Sequence, residues 1–123
     1  PYTKLGRTNF MCSRLVFGGG AALSGGKAVR LLEDSFEAGV NFYDLGSNVY
    51  YKGSEKYFAP FMKAHRDDIW VTSKAPLRPI DGYVPGKPLT VEQGKFAAEY
   101  WTTLLEDSLR DLETDYVDAY YLM

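Results

Sequence analysis

An α/β fold built on a parallel sheet is the reading that this 123-residue sequence supports, and three observations carry it. Short apolar runs alternate with stretches of helical period along the whole length. Glycines and polar residues gather just after the apolar runs, where α/β proteins keep their chemistry. The last run, "DAYYLM" at 118–123, is again strand-like, so the order is strand, helix, strand, helix, strand, helix, strand. That alternation implies right-handed crossovers between parallel strands, which are covered on both faces or closed into a barrel.

Taken in order, "SRLVFGGG" (13–20) is a short apolar run ending in glycines, hence a buried strand and a tight loop. From Lys27 the period changes: Ala28, Leu31, Leu32, Ser35 and Phe36 form the stripe of an amphipathic helix, with Gly39 at its C′ position. "VNFYD" (40–44) is the next strand. A second helix starts at Ser54, whose hydroxyl is placed to cap it, and runs to about His65. Pro60 removes a backbone donor inside it, so a kink or split is expected there. "DIWVTSK" (68–74) is the clearest strand. Residues 75–90 hold four of the six prolines and two glycines and form a long loop. "TVEQ" (90–93) is a capping box, and the helix after it carries Ala97, Tyr100, Trp101, Leu104, Leu105, Leu109 and Leu112 on one face. The closing strand would leave a sheet edge open at Tyr120 to Leu122, so the chain reads as the first half of something larger.

Composition narrows the function classes. The chain is 46% hydrophobic and 24% charged with a formal net charge of −2, and no basic run exceeds two residues, which argues against a nucleic-acid partner. No apolar stretch approaches the ~20 residues needed to span a bilayer, and no signal peptide opens the sequence. A single cysteine, Cys12, excludes an intramolecular disulfide and fits a reducing, cytoplasmic setting. Its place before the first strand suggests packing. His65 reads as a surface residue favourable to a helix dipole. No His or Cys cluster has metal-ligand spacing, and "GGGAALSGG" matches neither the dinucleotide-binding glycine pattern nor a P-loop.

The strand ends supply Gly18, Gly19 and Gly20, then Asp44, then Ser73 and Lys74, then Met123. An acid and a lysine ending neighbouring strands come within about 5 Å laterally, close enough to pair. Two tyrosines, Tyr50 and Tyr51, follow Asp44 in the loop "GSNVYYKGSE". An ammonium beside a phenol stabilises the phenolate, and a carboxylate holds the lysine in place, which together make a proton donor. Each residue alone has a blander reading: Asp44 capping a turn, Lys74 a solvated strand end, the glycines a tight turn.

These segments together resemble the aldo-keto reductase family. "YTKLGRTNFMCSRLVFGGG" is similar to the family's opening hairpin, which caps the barrel floor, and its first strand. "EAGVNFYD" is similar to the second strand with its catalytic aspartate, and "YYKGSE" to the tyrosine loop. "RDDIWVTSK" is similar to the third strand with its lysine, and "LEDSLRDLETDYVDAYYL" to the third helix and fourth strand. The resemblance implies the first half of a (β/α)8 barrel, four strands and three helices over residues 1–123. A whole barrel of this kind takes about 250 residues. It also implies reduction of an aldehyde or ketone by NADPH, with NADH possible. By motif match Asp44 and Lys74 take the catalytic aspartate and lysine roles, and Gly18 to Gly20 face the cofactor's ribose and nicotinamide. For the proton donor, "YYKGSE" favours Tyr51 and counting from Asp44 favours Tyr50, and Tyr51 is preferred. Met123 stands where the family places a histidine that hydrogen-bonds the substrate carbonyl; a thioether has no proton to donate. A nucleotide-binding regulatory or scaffold role with weak turnover is therefore the alternative.

Overall fold

In a computed structural model the structure describes residues 1–76 and 78–123; Leu77, in the loop expected at 75–90, lies outside them. The chain opens with an antiparallel hairpin, β1 (Tyr2–Lys4) and β2 (Met11–Ser13). Then come β3 (Phe17–Gly18), α1 (Gly19–Leu23), α2 (Leu31–Glu37), β4 (Phe42–Asp44), α3 (Asn48–Tyr51), α4 (Ser54–His65), β5 (Trp70–Ala75), α5 (Val91–Leu112) and β6 (Ala119–Leu122). The last four strands form one parallel sheet in sequence order, β3-β4-β5-β6. This is the expected α/β topology, with each crossover passing through helix.

Side-chain alternation along the strands separates two faces. Tyr43 and Val71 point toward the helices and meet Leu32, Phe58, Met62 and Leu112, all nearly inaccessible to solvent. Tyr43 packs its ring 5.4 Å from Phe58 and 5.0 Å from Phe61, while its hydroxyl donates to Val40 O at 3.0 Å. Burial pushes its phenol up from the ordinary tyrosine range. Asp44, Thr72 and Lys74 lie on the opposite face. The hairpin sits at the N-terminal ends of the strands, held by Asn41. That side chain accepts from Ser13 N at 2.7 Å and donates to Met11 O at 3.0 Å. Cys12, in β2, is buried, as a packing residue should be.

Several expectations need correction. Within 13–20 the expected strand is only two residues long, and the glycines expected in a tight loop, Gly19 and Gly20, turn straight into α1. The first long helix starts at Leu31 rather than Lys27, and Leu31 is exposed while Leu32 is buried. It does end on Gly39 at φ +91°, whose N–H reaches Phe36 O while Val40 N reaches Ser35 O, the bonding of a Schellman cap. Ser54 does not cap α4; the preceding Gly53 holds that position, and the Ser54 hydroxyl points to Gly46 O at 3.4 Å. Pro60 does not split α4, which runs through it to His65. The capping box of Thr90 and Gln93 forms as expected. His65 is no plain surface residue: it packs 4.2 Å from Phe36 and pairs with Glu33 at 2.9 Å. On α5, Ala97, Leu104 and Leu112 are buried, whereas Tyr100, Trp101, Leu105 and Leu109 are only half-buried.

Candidate active site

The site is assembled at the C-terminal ends of β3, β4 and β5. Parallel register places Gly18 opposite Asp44 and Asp44 opposite Thr72. Lys74 lies two residues beyond Thr72 on the same face of β5, so its side chain reaches back across the sheet. Nζ donates to both oxygens of Asp44, at 2.6 and 2.7 Å. Thr72 Oγ1 donates to Asp44 Oδ1 at 2.9 Å, so one carboxylate oxygen carries two donors. Charge-assisted bonds of this length are the strong kind, and they fix both side chains. The ladder continues past β4, through Leu45 N to Thr72 O and Ser47 N to Lys74 O, and this aims the following segment over the site. The Lys74 side chain is 13% exposed and that of Asp44 35%.

The two tyrosines are not equivalent. Both lie in the single turn α3, where a loop was expected. The Tyr51 ring lies between Gly20 and Gly46; a Cβ on either glycine would come within 2.5 Å of it. Lys74 Nζ stands 5.5 Å from that ring's centroid. Tyr50 is 45% exposed and packs on Tyr51 at 4.6 Å. Geometry thus brings Tyr51, Lys74 and Asp44 together and leaves Tyr50 on the outside. Gly46 has no place among the residues the sequence singled out. Only the ring packed on it reveals its use.

The other sequence-predicted positions divide. Gly19 and Gly20 are buried, and their missing side chains make room for Leu45 and Tyr51, which is the tight-turn reading. Gly18 is exposed, and a Cβ there would meet nothing within 4 Å. It leaves open space beside the partly exposed carboxylate of Asp44. Ser73, on the far face of β5, points into the helix layer and donates to Glu55 Oε1 at 2.5 Å. Met123 continues the ladder through its N–H to Ala75 O at 3.1 Å, with half of its surface exposed. Among the described residues no group of His, Cys, Asp and Glu is placed to hold a metal ion, and no helix is long and apolar enough to cross a membrane.

With this geometry in hand, known proteins offer a comparison. The sequence profile of the "Aldo/keto reductase family" matches residues 14–122. No curated protein sequence matches. Among solved structures, the chain is similar to an aldo-keto reductase of Bacillus halodurans in its holo form. Identity is 30% and the TM-score 0.71, covering 98% of this chain and 39% of that one. It is similar in fold to the glycerol dehydrogenase of Gluconobacter oxydans, at 21% identity and TM-score 0.68, covering 98% and 38%. The same holds for an aldo/keto reductase of Klebsiella pneumoniae solved with NADP and acetate, at 22% identity and TM-score 0.61, covering 93% and 36%. The chain therefore spans less than half the length of the solved structures it matches.

Proposed function

The chain belongs to the aldo/keto reductase family, and from that premise we propose that it supplies the catalytic corner of an NAD(P)H-dependent reductase of aldehydes or ketones. The observation that carries this is the Asp44–Lys74 pair with the Tyr51 ring seated beside it between two glycines. In this reading Tyr51 gives its phenolic proton to the carbonyl oxygen. Lys74 offsets the charge left on the phenolate, and Asp44 holds Lys74 in reach. The residues present fit the nicotinamide end of such a cofactor: Gly18 leaves room beside Asp44, and the carboxylate is exposed enough to accept from a sugar hydroxyl. Bound there, the cofactor supplies the hydride. NADPH is the first choice and NADH the second. A full reductase requires the rest of a barrel around this corner, so the 123 residues alone are expected to bind NADPH weakly. Tight binding by them would overturn that part of the reading.

The test is NADPH oxidation with a panel of aldehydes in a barrel completed around this chain. Tyr51→Phe is expected to lower kcat about 10²–10⁴-fold, the usual weight of a positioned proton donor. Tyr50→Phe should stay within about twofold of the wild type, as surface substitutions usually do. Full rate in Tyr51→Phe would remove the mechanism. Met123 favours a second reading, a nucleotide-binding regulatory or scaffold protein with weak turnover, because its side chain offers no donor to a carbonyl. Nucleotide binding without aldehyde-dependent oxidation would select that reading.

A further inference from the structure

Behind the tyrosine turn lies a chamber of about 230 Å³ between α3, α4 and α5, lined by Ser47, Asn48, Glu55, Asp107, Ser108 and Asp111. Four oxygens of these residues are buried and, among the described residues, lack a hydrogen-bond partner: Ser47 Oγ, Asn48 Oδ1, Glu55 Oε2 and Ser108 Oγ. Ser47, Glu55 and Ser108 are each no more than 2% exposed. The Ser108 hydroxyl is near enough to Glu55 and Tyr120 to lower both acids, yet forms no bond of acceptable geometry with either. Buried polar atoms are rarely left bare. The charges that line the chamber are paired: Asp107 accepts from Arg110 of the same lining at 2.7 Å, and Asp111 accepts from Asn48 Nδ2 and pairs with Lys56 at 3.6 Å. Ser47 and Ser108 carry unpaired hydroxyl protons, and Glu55 holds its own proton below about pH 7, so the set offers donors as well as acceptors; a water molecule, occupying about 30 Å³, fits and serves both kinds.

We propose that this chamber is a binding site for ordered water, and that the water and the Asn48–Asp111 bond make Asn48 a positioning residue for Tyr51. The connection is short. Asn48 and Tyr51 are the first and last residues of α3, and one turn of helix does not hold itself. Its backbone acceptors are Ser47 O, which takes Tyr50 N and Tyr51 N at 2.9 Å each, and Asn48 O, which takes Lys52 N at 3.0 Å. Both acceptors belong to residues whose side chains line the chamber. Tyr51's importance rests on the function proposed above; the water site does not.

Two measurements on the 123-residue chain test this. A high-resolution crystal structure is expected to show at least one water bonded to Glu55 and Ser108; a dry chamber, or one filled by an ion or a side chain, overturns the site. Amide hydrogen exchange tests the positioning. Asn48→Ala should speed exchange about tenfold or more at Tyr50, Tyr51 and Lys52 while leaving Trp70 and Val71 of β5 unchanged. An equal rise at every amide, or no rise, defeats the positioning claim. Should Asn48→Ala not fold, Ser108→Ala is expected to raise the same three amides by a smaller factor, and the same two contrary outcomes apply. A failed Tyr51→Phe kinetic test would leave these exchange results untouched, so the two readings fail separately.

Discussion

Two ion pairs sit at opposite ends of the same sheet, and they are built differently. At the N-terminal end Arg66 Nη1 meets Asp118 Oδ2 at 3.0 Å, and that oxygen also accepts from Val71 N at 2.8 Å. Arg66 also donates to Ile69 O at 3.2 Å and lies 3.8 Å over the Tyr116 ring. Both side chains are mostly covered, at 14% and 18% exposed. At the C-terminal end Asp44 takes Lys74 on both oxygens, yet its side chain is 35% exposed and faces the space left at Gly18. The Arg66 pair closes onto its own loops. The Lys74 pair is held as firmly but leaves an oxygen facing open space, which is what the proposed function asks of it and what the Arg66 pair does not offer.

The largest effect should come from splitting the two pairs by mutation. Lys74→Met is expected to cost about 10²–10⁴-fold in aldehyde-dependent oxidation per folded molecule, and to cost less stability than Arg66→Met because Asp44 can turn to solvent. Arg66→Met should do the reverse: about 3–5 kcal/mol of stability lost by denaturant unfolding, from a largely covered Asp118 left unpaired, and kcat unchanged in what remains folded. If both substitutions cost stability alike and neither touched turnover, the contrast would collapse and Asp44–Lys74 would be structural too.

Next in size is a pH effect lying between the two ends. Glu55 is wholly buried, and desolvation lifts its carboxyl from 4.5 to about 7, with the Ser73 and Ser108 hydroxyls pulling the other way and Asp111 adding to the rise. The folded protein therefore holds this proton more tightly than the unfolded chain. Its contribution is complete below pH 4.5 and is lost as pH climbs toward 7, a fall on the order of 3 kcal/mol. Urea unfolding across that range should show the fall, and Glu55→Gln should flatten it. An unchanged slope in the variant would assign the titration to another group. The smallest expected change is Thr72→Val, which removes one donor to Asp44 and should cost about 1 kcal/mol. Circular dichroism melting would read it, and a much larger loss would mean that Thr72, rather than Lys74, anchors the aspartate.

What could be read from residues, and what could not, follows physical lines. Asp44 and Lys74 were legible because each ends a strand whose apolar run and period are unmistakable, and parallel register does the rest. The α5 capping box was legible because Thr90 and Gln93 act over three residues of chain. Ser54 misled because a hydroxyl at a helix start can turn either way, and tertiary structure turned it to Gly46 O. Pro60 does not split its helix, because one missing donor does not interrupt a helix packed by Phe58, Phe61 and Met62. Glu55 escaped notice altogether: on a helix its carboxylate looks like any solvated charge, and only the packing of α5 over β5 buries it.

The sequence by itself determined the alternation of strands and helices, the parallel sheet, and the arrival of an aspartate, a lysine and a tyrosine pair at one end of it. These are consequences of local period and chain order, which act over a few residues. Only the tertiary structure gives Tyr50 and Tyr51 different surroundings. The two are adjacent in chain and identical in chemistry, and what separates them is where their rings fit. Tyr51 fits because Gly20 and Gly46, from segments far apart in sequence, each leave out a side chain on opposite sides of its ring.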